Sequence, residues 1–469
     1  MSLWTAAEAA QVTGGQVEGD WEAGGVSIDT RTLVPGDLFV ALAAERDGHE
    51  FVAQALEIGA AAALVSRVPD GVDPARCLIV DAVLPALERL GQAARARTRA
   101  KVIAITGSVG KTTAKDMLGK ALEGQGNIHV AVASYNNHWG VPLTLARMPA
   151  DTDFAVIEIG MSNPGEIAPL SRMARPDVAV ITTIAPAHLE AFGVIEGIAA
   201  EKAAIFEGLE PGGIAIVPLD PGTSAILTEA AGKYAAEVVT FGEAEGAGFR
   251  LTDVVVADQT TVMRIASRDG VRLAKLSVAG RHYASNAVAV MCAVAAAGAD
   301  PTQAAMMLSH WQPVAGRGQR ERIQLSRTDD IAIELIDDAF NANPASLAAG
   351  LEVLAATQPV RGGRRVAVLG EMLELGDQAE AMHAGIADLD AMERVDIVHT
   401  CGPLMAHLRN ALPGAKRGVH EATAAEMCPA VRRSLRPGDV VLIKGSKGSR
   451  ISLVVDALRK LGQSVEARA

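Results

Sequence analysis

An eight-residue segment with the composition of a phosphate-binding loop constrains this chain more than any other feature. It reads Thr-Gly-Ser-Val-Gly-Lys-Thr-Thr over residues 106–113, between an apolar run that begins at Lys101 and a helical pattern. In that context small residues let backbone N–H groups approach an anion, and the helix N-terminus adds positive potential. Lys111 can reach the outer phosphates and the Thr112 hydroxyl can bind Mg²⁺. The ordinary alternative is a glycine turn with a surface lysine. We expect the nucleotide to contact Gly107, Ser108, Val109, Gly110, Lys111, Thr112 and Thr113.

Around this loop, apolar runs that end in Gly or a turn alternate with helical patterns, which predicts βαβ units and a mostly parallel sheet. The clearest runs cover residues 101–107, 154–160, 177–184 and 212–219. Behind the first run, Met117, Leu118, Ala121 and Leu122 fall on one helical face that would pack onto the sheet. From Val238 to Gly280, β-branched alternation predicts a small antiparallel patch. We therefore expect a central α/β domain over residues 100–313.

Two further units flank the central one. After Val314 the parallel rhythm returns in runs over residues 331–336, 365–370, 396–402 and 439–445, which predicts a Rossmann-like domain over 314–469. The first hundred residues have shorter runs and end in a charged helix over 84–99, which predicts a small α/β domain over 1–99. A length of 469 residues fits such a division, because it is too long for one ordinary domain.

Composition excludes several classes of protein. A net charge of −12 argues against a non-specific nucleic-acid binder, which needs a basic surface. The first residues lack a basic and apolar secretory signal, and the most apolar tract, Ala287–Ala299, is shorter than the roughly 18 residues of a membrane span. Four scattered cysteines without a Cys-x-x-Cys pair favour a reducing cytoplasm. We expect a cytoplasmic monomer without membrane insertion.

A carboxylate stands where burial would be costly. Glu158 ends the apolar run Phe154–Gly160, and a buried carboxylate costs several kcal/mol unless it meets a cation or hydrogen-bond donors. The alternative is a strand-end carboxylate that faces water. In the third unit, the polar segment Asp337–Pro344 closes an apolar run, which would place it at the carboxyl edge of a sheet, where α/β proteins bind ligands. Its Asn-Pro pair could instead simply initiate a helix.

The loop departs from the general pattern G-x-x-x-x-G-K-[ST], because Ile105 replaces the first glycine. With Thr-Gly next and Lys-Thr-Thr at the end, it resembles the loop of the Mur ligase family, the ATP-dependent amide-forming enzymes of peptidoglycan precursor synthesis. Further segments also resemble family signatures, and with the flanking segments described below the resemblance extends over essentially the whole chain. These segments are Ser134–Pro142, Ala187–Gly193, Ile198–Phe206, Gly280–Ala287 and Gly316–Arg320.

The resemblance implies roles that the residues alone do not. Glu158 would bind one Mg²⁺ with Thr112, and His188 a second Mg²⁺. Lys202 would be carbamylated by CO₂ and so organise that metal. Without the resemblance, His188 would be interpreted as a loop residue and Lys202 as a solvated helix lysine. Arg317 would bind nucleotide phosphates. The expected catalytic residues are therefore Lys111, His188, Lys202 and Arg317. The remaining implied contacts are the adenine region for Asn286, the ribose for Asp338, the nucleotide cleft for Asn341 and Asn343, and the substrate for Asn136 and Asn137.

The flanks bear on the substrate. Segments Val26–Arg31, Pro35–Leu42 and Asp47–Phe51 resemble a uridine-diphosphate-binding domain, which implies substrate contacts for Ser27, Thr30, Arg31, Phe39, Asp47 and His49. Segments 369–377 and 441–450 resemble the family member that joins D-alanyl-D-alanine to UDP-N-acetylmuramoyl-tripeptide. Its expected partners are therefore these two substrates, with ATP and Mg²⁺. Whether diaminopimelate or lysine stands third in the peptide is open.

Three alternatives remain at this point. A folylpolyglutamate-synthetase-like ligase shares the modified loop but needs no uridine domain ahead of it. A non-catalytic nucleotide-sensing scaffold would not need Lys111, Glu158, His188 and Lys202 intact. A plain P-loop kinase or GTPase more often carries the usual first glycine. Since the nucleotide motifs are divided between the second and third domains, we also expect the third domain to close over ATP.

Overall fold

The protein is organised around four β-sheets. Its structure is a computed structural model that describes residues 2–257, 259–325, 331–360, 362–462 and 464–465. Across these residues the sheets contain nine, seven, five and two strands; the nine- and seven-stranded sheets are each built from a continuous stretch of chain, and the two small sheets share the N-terminal stretch. Mixed α/β layers in this order agree with the predicted fold class.

The N-terminal sheet is small and mostly parallel. Its elements, with those of the two-stranded sheet beside it, are β1 (Trp4–Thr5), α1 (Ala6–Thr13), β2 (Gln16–Val17), β3 (Glu22–Ala23), β4 (Gly25–Ser27), β5 (Asp37–Val40), α2 (Val52–Ile58), β6 (Ala62–Val65), β7 (Cys77–Ile79) and α3 (Val83–Arg97). The order is β2-β7-β6-β5-β4, with β2 antiparallel, and β1 pairs with β3. Helix α3 repeats Val83, Leu87, Leu90 and Ala94 at helical spacing, and all four are buried against this sheet.

The central sheet holds the phosphate loop. Its elements are β8 (Lys101–Thr106), α4 (Lys111–Leu122), β9 (Ile128–Val130), α5 (Gly140–Ala146), β10 (Phe154–Glu158), α6 (Ile167–Ala174), β11 (Val178–Ile181), α7 (Leu189–Phe192), α8 (Ile195–Ala203), β12 (Ile214–Pro218), α9 (Ser224–Tyr234), β13 (Glu237–Gly242), β14 (Phe249–Val256), β15 (Thr261–Ser267), β16 (Gly270–Leu276), α10 (Arg281–Ala296) and α11 (Pro301–Leu308). Strand order is β16-β15-β14-β13-β12-β11-β8-β10-β9, so β8 lies among parallel neighbours.

Helices cover both faces of this sheet because side chains alternate along each strand. On β8, Ile103 and Ile105 join the core under α4 and α10, whereas Val102 and Ala104 join the core on the other face. The predicted apolar face of α4 lies in the first of these cores, as expected.

The antiparallel patch begins later than predicted. The sequence places its start at Val238, but β13 pairs in parallel with β12 and with β14. Antiparallel pairing starts between β14 and β15 and continues to β16. These strands extend the same nine-stranded sheet rather than forming a separate one.

The third sheet has a parallel centre and an antiparallel edge. Its elements are β17 (Gln319–Gln324), β18 (Ala332–Asp338), α12 (Pro344–Ala356), β19 (Arg365–Gly370), α13 (Ala379–Ala384), β20 (Ile397–Cys401), α14 (Met405–Ala411), β21 (Arg417–Glu421), α15 (Ala424–Ser434), β22 (Val440–Lys444), α16 (Ser452–Arg459) and β23 (Ser464–Val465). In the order β21-β20-β19-β22-β18-β17-β23, only β17 and β23 run antiparallel to their neighbours. The carboxyl ends of β18 and β22 thus meet at one edge, where the segment Asp337–Pro344 begins.

Helix α5 belongs to the central chain segment but packs on the N-terminal sheet. Leu143 and Ala146 lie in the N-terminal core, and Nε1 of Trp4 donates a hydrogen bond to the Ala146 carbonyl at 2.9 Å. Arg147 donates from Nε to the Val26 carbonyl at 2.5 Å. The N-terminal sheet is therefore anchored beside the segment that leads from the phosphate site to α5.

The most apolar tract, Ala287–Ala299, lies largely in α10. That helix is buried against the central sheet and α4, which accounts for its composition. Over the described ranges, we find no helix with the length and apolar character that a membrane crossing requires.

Candidate active site

The phosphate loop lies between β8 and α4, in the strand-loop-helix context that the sequence predicts. Gly107 and Gly110 adopt φ values of 150° and 87°, which L residues rarely adopt. A Cβ on Gly107 would lie 1.9 Å from Oγ1 of Thr182, and a Cβ on Gly110 would lie 2.5 Å from Oδ1 of Asn286. Both positions require glycine, and Asn286 of α10 lies directly against the loop.

Lys111 begins α4 and turns back over the loop. Its Nζ donates to the Gly107 carbonyl at 2.6 Å. Burial lowers the pKa of Lys111, and the nearby Glu158 carboxylate opposes this shift. The hydroxyl of Ser108 is buried and has no hydrogen-bond partner among the described residues. A cation and a free hydroxyl are thus held at the loop.

Glu158 is the centre of a buried polar cluster. It ends β10, next to Ile105 of β8, and is 1 % exposed. The Thr112 hydroxyl lies 2.9 and 3.0 Å from its two oxygens, and Asn136 donates from Nδ2 to Oε1 at 2.8 Å. These donors compensate the desolvation of the carboxylate, as predicted.

Ser134 extends the same cluster and was not singled out by sequence reasoning. Its Oγ lies 3.2 Å from Oγ1 of Thr112 and accepts a hydrogen bond from Nη2 of Arg317 at 3.0 Å. Asn137, the residue after Asn136, accepts from the Gly140 N–H at 3.0 Å and so shapes the turn before α5. Within this segment Asn136 faces Glu158, while the Asn137 side chain is engaged in the turn.

Lys115 fixes the strand-to-loop segment that carries Ser134. It is 2 % exposed, and its Nζ donates to the carbonyls of Ala131 at 2.9 Å and Ala133 at 3.0 Å. Ala133 has a φ of 59°, which the two hydrogen bonds help to hold. A lysine inside the otherwise apolar face of α4, next to Ala114 and one turn after Lys111, is the signal that could have identified this residue.

Arg317 connects the central site to the third sheet. Besides Ser134 it contacts Phe340, whose ring centroid lies 4.1 Å from its guanidinium carbon. The Tyr283 hydroxyl donates to the Arg317 carbonyl at 3.1 Å. Burial lowers the pKa of Arg317, opposed by the carboxylates of Glu158 and Asp338. Phe340 gives the guanidinium a flat apolar face.

At the edge of the third sheet, Asp338 pairs with Lys444. The two charged atoms are 2.7 Å apart, and Lys444 also donates to the Asn341 carbonyl at 3.0 Å. Burial raises the pKa of Asp338, and Lys444 opposes the shift. Asn343 accepts from the Ser346 N–H at 2.9 Å and caps α12. Its side chain therefore helps to initiate the helix, as the alternative interpretation of the Asn-Pro pair predicts.

The described side-chain contacts of Lys202 and His188 are with residues outside the Glu158 cluster. Lys202 of α8 is 1 % exposed, and its Nζ lies 3.3 Å from the sulfur of Met161. Burial lowers the pKa of Lys202 well below its usual value, and the charge of Lys111 adds to this. Nδ1 of His188 forms a hydrogen bond with the carboxylate of Glu374, which lies in the loop after β19 of the third sheet. Within the described ranges there is no group of three or more His, Cys, Asp or Glu arranged to hold a metal.

The N-terminal candidates form two polar groups. Arg31 pairs with Asp29 at 2.5 Å, and the Ser27 hydroxyl donates to the Asp29 carbonyl at 3.1 Å. Thr30 lies between them and is half-buried. The guanidinium of Arg31 is largely exposed, so this turn presents a cation at the surface.

The second N-terminal group surrounds His49. Its Nδ1 lies 2.6 Å from Oδ1 of Asp47, while its Nε2 accepts from the Ser66 N–H at 3.0 Å. Arg67 pairs with Asp47 at 2.5 Å. Phe39 is 1 % exposed inside the apolar core under α2, so its side chain packs the fold.

Comparison with known proteins places this site in a family. The Mur ligase middle domain matches residues 105–294, and the Mur ligase glutamate ligase domain matches residues 321–447. A curated UDP-N-acetylmuramoyl-tripeptide--D-alanyl-D-alanine ligase of Bacillus subtilis (strain 168) is 37% identical over 440 residues, which are 92% of this chain and 93% of that protein.

Solved structures agree over nearly the full length. MurF from Acinetobacter baumannii superimposes with a TM-score of 0.82 at 30% identity, covering 97% of this chain and 99% of that one. MurF ligase from Thermotoga maritima in complex with ADP gives a TM-score of 0.75 at 26% identity, covering 93% and 97%. The chain belongs to the Mur ligase family.

Proposed function

We propose that this chain is the ATP-dependent ligase that joins D-alanyl-D-alanine to UDP-N-acetylmuramoyl-tripeptide and so forms the pentapeptide precursor of peptidoglycan. The observation that carries the proposal is the Thr112–Glu158 pair, buried directly behind a phosphate loop. Relatives named for this ligation align along 92% of the chain, and a structural neighbour holds ADP. Both facts support ATP as a ligand in addition to the uridine nucleotide of the substrate.

The chemistry follows from the weakness of a carboxylate as an electrophile. A carboxylate oxygen of the tripeptide attacks the γ-phosphorus of ATP, and ADP leaves, which gives an acyl phosphate. The amine of D-alanyl-D-alanine then attacks the carbonyl carbon, phosphate leaves, and the amine loses a proton. Lys111 and Arg317 would reduce the repulsion between the anionic reactants. Holding the reacting atoms near contact contributes about 7–11 kcal/mol.

The Glu158 cluster fits a magnesium ion. Thr112, Glu158 and Ser134 offer hydroxyl and carboxylate oxygens within 3.2 Å of Oγ1 of Thr112, and Mg²⁺ prefers such hard oxygen ligands. Thr112 and Glu158 would hold the ion, with His188 and Lys202 proposed for a second one. When bound, Mg²⁺ supplies positive charge to the phosphates.

We also propose that Lys202 is carbamylated. A neutral amine adds to the carbon of CO₂ and releases one proton, and the burial of Lys202 favours its neutral form. Lys202→Ala should lose most turnover, while mass spectrometry in bicarbonate should detect a labile 44-Da adduct, roughly the mass of CO₂, on the native protein. A fully active alanine variant would remove this role.

Nucleotide contacts outside the loop are proposed for residues that the fold brings to its edges. Asn286 lies against Gly110, and Asp338 is held by Lys444 at the edge of the third sheet. Asn341 lies on the same segment. These positions support contacts with the adenosine part of ATP, whereas the Asn343 side chain caps α12.

We propose a division into a substrate-binding domain over residues 1–99, an ATP-binding domain over 100–313 and a Rossmann-like domain over 314–469. The exposed Arg31 and the group around Asp47 and His49 would bind the uridine diphosphate part of the substrate. A monomer suffices, because one chain contributes the whole Glu158 cluster. The proposed compartment is the cytoplasm, and the four cysteines are free.

A phosphate-release assay tests this function. Release from ATP should require both UDP-N-acetylmuramoyl-tripeptide and D-alanyl-D-alanine, and mass spectrometry should find the pentapeptide product. A nucleotide-sensing scaffold would release no phosphate. A folate ligase would ignore both substrates, and either result would contradict the proposal. Comparing diaminopimelate- and lysine-containing tripeptides in the same assay identifies the third residue.

A further inference from the structure

A side-chain contact beside the proposed active site joins two parts of the chain. We call the part that carries the nine-stranded sheet the central region and the part that carries the seven-stranded sheet the third region. Nδ1 of His188, at the start of α7, is bonded to a carboxylate oxygen of Glu374, in the loop after β19. Sequence reasoning identified His188 but gave Glu374 no role.

Both residues adopt left-handed backbone conformations. The φ angles are 59° for His188 and 65° for Glu374, and neither residue is glycine. Such a conformation is unfavourable for residues with a Cβ and persists only where surrounding structure holds it. Two adjoining strained residues, one on each side of an interface, indicate that their meeting is built into the fold.

The surrounding contacts form a continuous interface. The Glu190 N–H donates to the Glu374 carbonyl at 3.2 Å. Gly376 faces the same turn, since a Cβ there would lie 3.5 Å from the Cα of Glu190. Met382 packs against the apolar cores of both the central and the third region. The carboxylate of Glu374 therefore reaches His188 when the loop over residues 374–376 lies on α7.

We infer that Glu374 is a positioning residue that fixes the ring and tautomer of His188, and that docking of the third region on α7 delivers it. The inference rests on the proposed role of His188 as a metal ligand. A histidine ligand commonly donates its second ring N–H to a carboxylate, which fixes the ring orientation. Here Glu374 lies against Nδ1, so in the neutral imidazole the contact favours the Nδ1–H tautomer, in which Nε2 is the nitrogen with the free lone pair.

This arrangement makes the metal ligand depend on domain contact. With the third region docked, Nε2 of His188 is presented as a lone-pair donor. With the third region apart, the ring loses its orienting carboxylate and either nitrogen can carry the proton. Closure would then complete the site chemically as well as sterically.

The test compares Glu374→Ala and Glu374→Gln with a matched control, Glu190→Gln. Glu190 is an exposed carboxylate of α7 whose side chain makes no described contact. The Glu374 side chain is itself about half exposed, so its replacement leaves the cores intact. Histidine-selective ¹⁵N labelling reports the tautomer of His188, which a His188→Gln spectrum assigns.

The native protein and Glu190→Gln should show the Nδ1–H tautomer, and Glu374→Ala should lose that preference. In steady-state kinetics, the Mg²⁺ concentration for half-maximal rate should rise about 10–100-fold in Glu374→Ala, with a smaller rise in Glu374→Gln. Unchanged His188 resonances or unchanged Mg²⁺ dependence in Glu374→Ala would overturn the inference. Failure of the native protein to ligate would instead contradict the proposed function, because the NMR readout needs no activity.

Discussion

The Thr112 hydroxyl lies within 3.0 Å of both oxygens of Glu158, although the two residues are 46 positions apart in the chain. Thr112 belongs to the first turn of the helix after the phosphate loop, and Glu158 ends the adjacent strand. Parallel pairing of β8 with β10 brings them together. The relationship joins the nucleotide loop to a buried carboxylate.

Removal of that hydroxyl should affect turnover strongly. Thr112→Val keeps the side-chain shape but removes the donor to Glu158, so we expect turnover to fall about 100-fold or more. Thr112→Ser retains the hydroxyl and should stay within a few fold of the native rate. Initial rates at saturating substrates measure both variants. Equal rates for Val and Ser would show that the hydroxyl has no catalytic part.

Lys115 should act through the loop that it holds. Lys115→Met leaves the carbonyls of Ala131 and Ala133 without their buried donor, which should reduce the free energy of unfolding by about 1–3 kcal/mol. Displacement of Ser134 should also raise the KM for ATP. Lys120→Met on the same helix is the control, because Lys120 makes only a partly exposed pair with Glu123 and should change stability by less than about 0.5 kcal/mol. A Lys115 variant as stable as this control would contradict the account.

Asn343 should contribute to stability through its helix cap. Asn343→Ala removes the acceptor for the Ser346 N–H and should cost about 1 kcal/mol of folding free energy. Asn343→Ser should restore most of that loss, with the KM for ATP unchanged in both. Urea unfolding and ATP kinetics measure the two effects. An increased KM with native stability would instead indicate direct nucleotide contact.

Buried His399 should make stability depend on pH on the acid side. The ring is 2 % exposed, Nδ1 accepts from the Val419 N–H at 3.0 Å, and burial lowers the pKa of His399 to about 4. Below pH 6.5 the unfolded chain binds a proton that the folded chain excludes, so stability falls as pH decreases from 6.5 to 4. The full difference is about 3 kcal/mol.

His399→Gln should flatten this dependence, while substitution of the partly exposed His407 by Gln should not. Thermal unfolding midpoints across pH 4–7 provide the measurement. If the native protein and His399→Gln lost stability in parallel over that window, His399 would not be the responsible group.

The sequence predicted the layers of the fold because alternating apolar runs and helical faces are local patterns. It also identified Thr112 and Glu158, since a strand-end carboxylate after an apolar run and a lysine-threonine turn are visible without neighbours. It missed Ser134, Lys115 and Lys444, because their roles come from pairing between segments distant in the chain. Nor did the sequence predict that the Phe39 side chain lies in the core under α2, because a side chain's contacts depend on which side of the sheet becomes core.

Transfer of oxygen from the tripeptide to phosphate tests the central claim most directly. With ¹⁸O in the terminal carboxylate of UDP-N-acetylmuramoyl-tripeptide, attack on the γ-phosphorus places one carboxylate oxygen in the acyl phosphate. Attack of the amine at carbon then leaves that oxygen in the released phosphate. We predict one ¹⁸O atom in each phosphate formed from fully labelled substrate, detected by mass spectrometry. Product formation with unlabelled phosphate would contradict activation of the carboxylate by ATP at this site.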